Sequence, residues 1–177
     1  MIILNDIVNN DFQEATIVDL NIPNLKTIGI ASDHRGYRLK QKLTKYLSKK
    51  GYAVVDYGTD STKSTDYPIY GFKLGEAIKN GTITRGVVIC GSGIGISIAC
   101  NKVKGIRCGK VNSVDEAIHG KERDFVNVIA LSGTTDIEEA NPATEIKESM
   151  QVLSVSFAPS YSVEPTISKY QEPDFWN

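Results

Sequence analysis

The sequence predicts a single α/β domain of three layers, in which helices cover both faces of a five-stranded parallel sheet. Three observations lead there. Short apolar runs recur five times between residues 26 and 153, each followed by a stretch of helical character. The runs are nearly continuous rather than alternating, as for strands buried on both faces. The connections between them are long enough for a crossover helix, which parallel pairing demands.

The first run, TIGIAS at 27–32, is a short buried strand, and DHRGY after it is a loop. RLKQKLTKYLSKKG at 38–51 places Leu39, Leu43, Tyr46 and Leu47 at helical spacing, with its lysines on the opposite, solvated face. Gly51 is the stop signal. YAVVDYG at 52–58 is the second strand, and DSTKSTDYP a polar loop. A helix over 69–81 ends at Gly81, and RGVVIC at 85–90 is the third strand. A glycine loop leads into a short apolar helix at 94–103, then a fourth strand at 105–111. Ser113 and Glu116 form a capping-box pattern at the start of a helix over 113–123. NVIALSG at 127–133 is the fifth strand. The last helix, 141–153, opens with Asn141 at the cap and Pro142 in the first turn, and Ile146, Met150 and Leu153 make its apolar stripe.

Domain limits follow from where this pattern stops. Residues 1–25 lack clean periodicity and are expected to be an N-terminal extension; 154–177 form a tail punctuated by serine and proline, without arginine. A chain of 177 residues with 41% hydrophobic content fits one domain with an ordinary core. A net charge of −1 gives no electrostatic case for nucleic acid or an acidic membrane. No apolar run approaches the roughly 20 residues that span a bilayer, and the acid-bearing N-terminus is unlike a secretory or transit signal. Three cysteines, Cys90, Cys100 and Cys108, and two histidines argue against a disulfide scaffold or a zinc site. A reduced, cytoplasmic protein without metal or cofactor is expected.

Open α/β sheets bind ligands at the carboxyl ends of their strands. Two loops there carry chemistry: SDHRG after the first strand and CGSGIG after the third. Glycines let the backbone turn tightly and approach a ligand with its amides, and the next helix adds the positive end of its dipole. Cys90 at that point can move a proton, and the amides can hold an enediolate or a phosphate. The competing reading of Cys90 is core filler, since free cysteine is among the most buried residue types. For Cys100 and Cys108, inside predicted elements, filler is the better reading. Asp33 and His34 fit either a helix cap with a surface histidine or ligand contacts. His119 reads as a surface residue in mid-helix.

Taken together, SDHRGY (32–37), GYAVVDYGT (51–59), TDYP (65–68), GVVICGSGIGISIACNKVKGIR (86–107) and NVIALSG (127–133) resemble type B ribose-5-phosphate isomerase, of the RpiB/LacAB sugar-phosphate isomerase family. The resemblance spans about 26–153. It implies a Rossmann/flavodoxin-like sheet, no cofactor, and a homodimer with the site at the subunit interface. The substrate it implies is a phosphorylated pentose or hexose. By position, it makes Cys90 the base that shuttles a proton between C1 and C2, with Ser92 beside it. Gly91, Gly93 and Gly95 belong to the loop whose amides hold the enediolate. Asp33 and His34 meet the sugar and its phosphate, and Tyr67 lines the site. Ile96 stands where some members place a glutamate base, which puts this chain with the cysteine-base type. Asn101 and Lys102 are assigned structure rather than chemistry.

The chain departs from the family pattern before the fifth strand. A His-Asn-Asp run whose histidine opens the furanose ring is replaced by Arg123-Asp124-Phe125, and no arginine follows Arg123 to meet a phosphate. Arg123 and Asp124 are therefore expected to bind substrate, with Arg123 as a binding group that cannot cycle a proton near neutral pH. Two functions remain open at this level. One is an aldose–ketose isomerase acting on ribose 5-phosphate or a related phosphosugar. The other is an impaired sugar-phosphate-binding or partner subunit that lacks ring opening.

Overall fold

A computed structural model describes residues 27–133. The helix expected at 141–153, the N-terminal extension and the tail lie outside the described residues.

The chain alternates β1 (Thr27–Ser32), α1 (Tyr37–Lys49), β2 (Ala53–Asp56), α2 (Tyr67–Lys79), β3 (Gly86–Cys90), α3 (Ile94–Asn101), β4 (Cys108–Lys110), α4 (Val114–Glu122) and β5 (Val128–Ser132). All strand pairs are parallel, in the order β2-β1-β3-β5-β4. That order differs from the flavodoxin order 2-1-3-4-5 in that β5 sits inside β4. The sequence explains the exchange. VIAL of β5 is wholly apolar and buried, whereas CGK of β4 is only half-buried and suits an edge.

Side-chain alternation along the strands divides the core between the two faces. Ile28, Ile30, Val87, Ile89, Ile129 and Leu131 pack with Leu39, Leu43 and Leu47 of α1 and Ala117 of α4. Ala31, Val88, Cys90, Val128 and Ala130 point the other way, toward Leu74 of α2 and Ile96 and Cys100 of α3. Leu43 and Leu47 are fully buried, so trimming either to alanine costs about 2–5 kcal/mol.

Four local expectations are corrected. Lys40 is not on a solvated face: it is 1% exposed, and its Nζ donates to Asp56 Oδ2 at 2.5 Å and to the Thr59 carbonyl at 2.5 Å. A helix-wheel reading misses it because its partners belong to β2 and the loop beyond. Helix α2 begins at Tyr67, two residues earlier than expected, since Pro68 needs no amide partner in the first turn. β4 has three residues rather than seven. Ser113 caps α4 by accepting the Glu116 amide at 3.2 Å, but the Glu116 carboxylate turns back to the Asn112 amide at 2.6 Å instead of closing a capping box on Ser113.

The chain leaves β1 toward β2 on one side and places β3 on the other. The loops after β1 and β3 therefore diverge at a switch point and open a crevice between them.

Candidate active site

The crevice is a cleft of about 350 Å³, lined by Asp33, His34 and Arg35 after β1, residues 64–67 before and within α2, and Cys90, Gly91, Ser92 and Gly95 around the start of α3. Its size is within the range of small-ligand sites.

The floor is made by the chain at the ends of β1, β3 and β5, tied together mainly through backbone. The Asp33 amide donates to the Ile89 carbonyl at 3.2 Å, and the Gly133 amide to the Cys90 carbonyl at 2.8 Å. Ser132 Oγ donates to the Gly91 carbonyl at 2.7 Å. Asp33 is 4% exposed, and its Oδ1 accepts the amides of Arg35 at 2.9 Å and Gly36 at 3.0 Å. Asp33 thus orders the turn that leads into α1, whose own N-cap is Gly36 without a side-chain cap bond, and it also lines the cleft. The loops cross where only glycine fits. A Cβ on Gly133 would lie 2.7 Å from Gly36 Cα, and one on Gly36 would lie 2.7 Å from the Ile89 carbonyl oxygen.

Cys90 belongs both to the core and to the cleft wall. It ends β3 in the core cluster, 3% exposed, and still borders the cleft. Beyond it the chain turns through Gly93, whose φ of +77° lies in the left-handed region that favours glycine. Ser92 is exposed, and its Oγ accepts the Ile94 amide at 3.2 Å, shaping the turn into α3. The first amides of α3 have no carbonyl one turn earlier and give the loop its anion-favouring end. Ile96 is fully buried, so the position that the resemblance compares with a glutamate base is core here.

The opposite wall is polar and aromatic. His34 is half-buried, with Nδ1 3.0 Å from the Thr65 carbonyl oxygen and 3.2 Å from the Thr65 amide. These contacts belong to alternative tautomers, because one nitrogen cannot donate and accept at once. Thr65 Oγ1 also shares a hydrogen bond with Tyr70 Oη at 3.0 Å. Asp66 takes the N-cap position of α2 without a side-chain cap bond. Tyr67 lays its ring against Gly95.

Asp33, His34, Tyr67, Cys90, Gly91, Ser92 and Gly95 are thus brought together, with Gly93 in the turn behind them. Arg123 and Asp124 are not. Arg123 is the C-cap of α4 and Asp124 follows it, before the start of β5. Val128, which starts β5, pairs with Gly86, whereas Cys90 pairs with Ser132. The two residues therefore sit at the amino edge of the sheet, and the cleft is at its carboxyl edge. Asp124 Oδ2 lies 3.4 Å from His119 Nδ1, and its carbonyl accepts Arg107 Nε at 2.5 Å. Arg35, which the sequence offers as a stand-in for the missing phosphate-binding arginines, completes the lining with Ser64, Thr65 and Asp66, which sequence reasoning missed. The available signal was adjacency: Arg35 lies within SDHRGY, and Thr65 and Asp66 within TDYP.

The other cysteines behave as filler. Cys100 is buried and donates to the Gly71 carbonyl at 3.3 Å. Hydrogen bonding with Cys100, followed by burial, pushes the Cys108 thiol up, which keeps it protonated. Asn101 has the structural role expected, holding β4 by donating from Nδ2 to the Cys108 carbonyl at 2.9 Å and accepting the Cys108 amide at 2.8 Å. Among the described residues no group of metal-ligating side chains is clustered and no helix is long and apolar enough to cross a membrane.

Comparison with known proteins places these features. Residues 28–149 match the family model described as Ribose/Galactose Isomerase. Galactose-6-phosphate isomerase subunit LacB of Clostridium acetobutylicum is 43% identical over 106 residues, covering 60% of this chain and 61% of that protein. Ribose-5-phosphate isomerase B of Escherichia coli is 38% identical over 107 residues, covering 60% of this chain and 72% of the relative. Among solved structures, ribose-5-phosphate isomerase B of Mycoplasma genitalium with bound ribulose-5-phosphate superposes with a TM-score of 0.64 at 32% identity, covering 73% of this chain and 82% of that one.

Proposed function

The chain belongs to the ribose/galactose isomerase family, and from that premise we propose that it is an aldose–ketose isomerase interconverting ribose 5-phosphate and ribulose 5-phosphate or a related phosphosugar. The observation that carries this reading is the placement of Cys90 at the end of β3, bordering a cleft that Asp33, His34 and the Gly91–Gly95 loop also line.

The reaction needs one base and one anion cradle. From aldose to ketose, the Cys90 thiolate takes the proton from C2; the C–H bond breaks, an S–H bond forms, and the electron pair moves to the C1 oxygen. The resulting cis-enediolate lies over the amides of the 91–95 loop and the positive end of α3. The thiol then returns the proton to C1 while the proton of the C2 hydroxyl passes to the C1 oxygen, leaving the neutral ketose and the thiolate ready for another cycle. Ser92 and Asp33 flank this transfer, and His34 and Tyr67 hold the sugar. C1 is reduced and C2 oxidised within the same molecule, so the step as proposed needs no external oxidant or reductant. An impaired binding subunit is the less favoured reading, because the named relatives are isomerases and the proposed proton-transfer loop is intact.

The proposed assembly is a homodimer. Ile69 and Phe72 of α2, the helix that Tyr67 opens, and Ile94 and Ile98 of α3 are 43–55% exposed. A second copy would cover this face and would also be the route by which Arg123 or Asp124 reaches a substrate.

A coupled assay for conversion of ribose 5-phosphate to ribulose 5-phosphate by the purified protein tests the function. Turnover above the uncatalysed rate is expected, and none with any phosphorylated pentose or hexose would overturn it.

A further inference from the structure

An anion entering the cleft meets two carboxylates, Asp33 and Asp66, and one permanent cation, Arg35; no other lysine or arginine is among the described lining residues. Resting on the phosphosugar reading above, we propose that Arg35 is the residue of this cleft that binds the phosphate of the substrate.

The backbone of Arg35 is fixed, since its amide and that of Gly36 are both held by Asp33 Oδ1. Its guanidinium lies flat against Gly91: a Cβ built on Gly91 would be 2.8 Å from Cζ, 2.8 Å from Nη1 and 2.9 Å from Nε. The missing side chain at Gly91 is therefore what lets the fork rest over the loop, one residue from Cys90. A planar fork held in this way can meet a phosphate through paired N–H donors. In a five-carbon substrate three bonds separate C2, where Cys90 acts, from the phosphate-bearing C5. Base and cation thus address the two ends of one small molecule from neighbouring positions.

Arg35→Gln and Arg35→Lys are compared with the parent protein in two measurements. In the first, the thermal unfolding midpoint is read in inorganic phosphate and in chloride of equal ionic strength. The parent is expected to be stabilised by phosphate, Arg35→Gln is expected not to be, and Arg35→Lys is expected to fall between. In the second, steady-state kinetics with ribose 5-phosphate are expected to show KM raised about 10- to 100-fold in Arg35→Gln, with part of the loss recovered in Arg35→Lys. Equal stabilisation of parent and Arg35→Gln by phosphate overturns the assignment. So does a fall in kcat at unchanged KM, which would put the guanidinium on the reacting atoms. If the parent has no isomerase activity but its phosphate stabilisation depends on Arg35, the isomerase reading fails and the anion site stands. The midpoint in chloride checks that each variant folds, and Arg35→Lys alone decides should Arg35→Gln not fold.

Discussion

The ring of Tyr67 lies so close to Gly95 that a Cβ on the glycine would sit 2.7 Å from Cζ and 2.9 Å from Cε2. The first turn of α3 and the first residue of α2 thus form one contact surface at the mouth of the cleft. Gly95→Ala must push the ring aside. Because Tyr67 is 41% exposed and the clash is with the far end of its side chain, the fold is expected to lose no more than about 1 kcal/mol. KM for ribose 5-phosphate is expected to rise several-fold. Denaturant titration beside steady-state kinetics checks the separation, and an unchanged KM would remove Tyr67 from the substrate contacts.

Cys90→Ala is expected to stop exchange of the substrate C2 proton with solvent while the thermal midpoint stays near that of the parent. Removing a positioned acid–base group costs about 10²–10⁴-fold, so residual turnover should fall by at least that range. Proton NMR of ribose 5-phosphate in deuterated buffer reads the exchange directly. Exchange at the parent rate would show that another group moves the proton.

Arg123→His is expected to raise turnover on the cyclic sugar. A histidine can cycle a proton near neutral pH, whereas arginine stays charged. Arg123 lies at the amino edge of its own sheet, so any gain must act through a second copy. The rise should therefore vanish in dilutions that leave only monomer. A flat or lower turnover in a folded dimer would mean that ring opening is not limiting.

Replacing an exposed isoleucine of α3 tests the assembly itself. Ile98→Asp is expected to shift the protein toward monomer in sedimentation equilibrium, because a charge would be buried unpaired. A parent protein that is already monomeric at micromolar concentration would rule out the dimer.

Lys40→Ala is expected to destabilise by about 2–4 kcal/mol. It empties a fully buried site and takes the partner from Asp56 and from the Thr59 carbonyl. Asp56 is 39% exposed, so water softens its share of the loss. Lys40→Met keeps the volume and should recover part of it, as urea titration of both variants would show.

The five strands were legible because each is a run of apolar residues bounded by polar or glycine-containing sequence. Periodicity also found Leu39, Leu43 and Leu47. It failed at Lys40, whose burial depends on β2 and the loop after it rather than on its own helix. The order of the last two strands was equally hidden: it follows from which strand can bear burial on both faces. In the site, the CGSGIG and SDHRG loops were visible because glycine and ionisable residues stand out at strand ends. Arg35 could be read only as one of several basic residues able to stand in for the missing phosphate-binding arginines, since its position over Gly91 has no signature in the sequence. Arg123 and Asp124 were drawn toward the site by order along the chain, and only the strand register places them at the far edge.

The two contacts of His34 with Thr65 correspond to two neutral tautomers of the ring. When Nδ1 accepts the Thr65 amide, the hydrogen is on Nε2, which then presents a donor. When Nδ1 donates to the Thr65 carbonyl, Nε2 presents a lone pair. An aldose and its ketose differ in which of two neighbouring oxygens is carbonyl and which is hydroxyl. On the proposed function, in which His34 meets the sugar, the two tautomers would match those two arrangements by relocating one ring proton rather than a side chain.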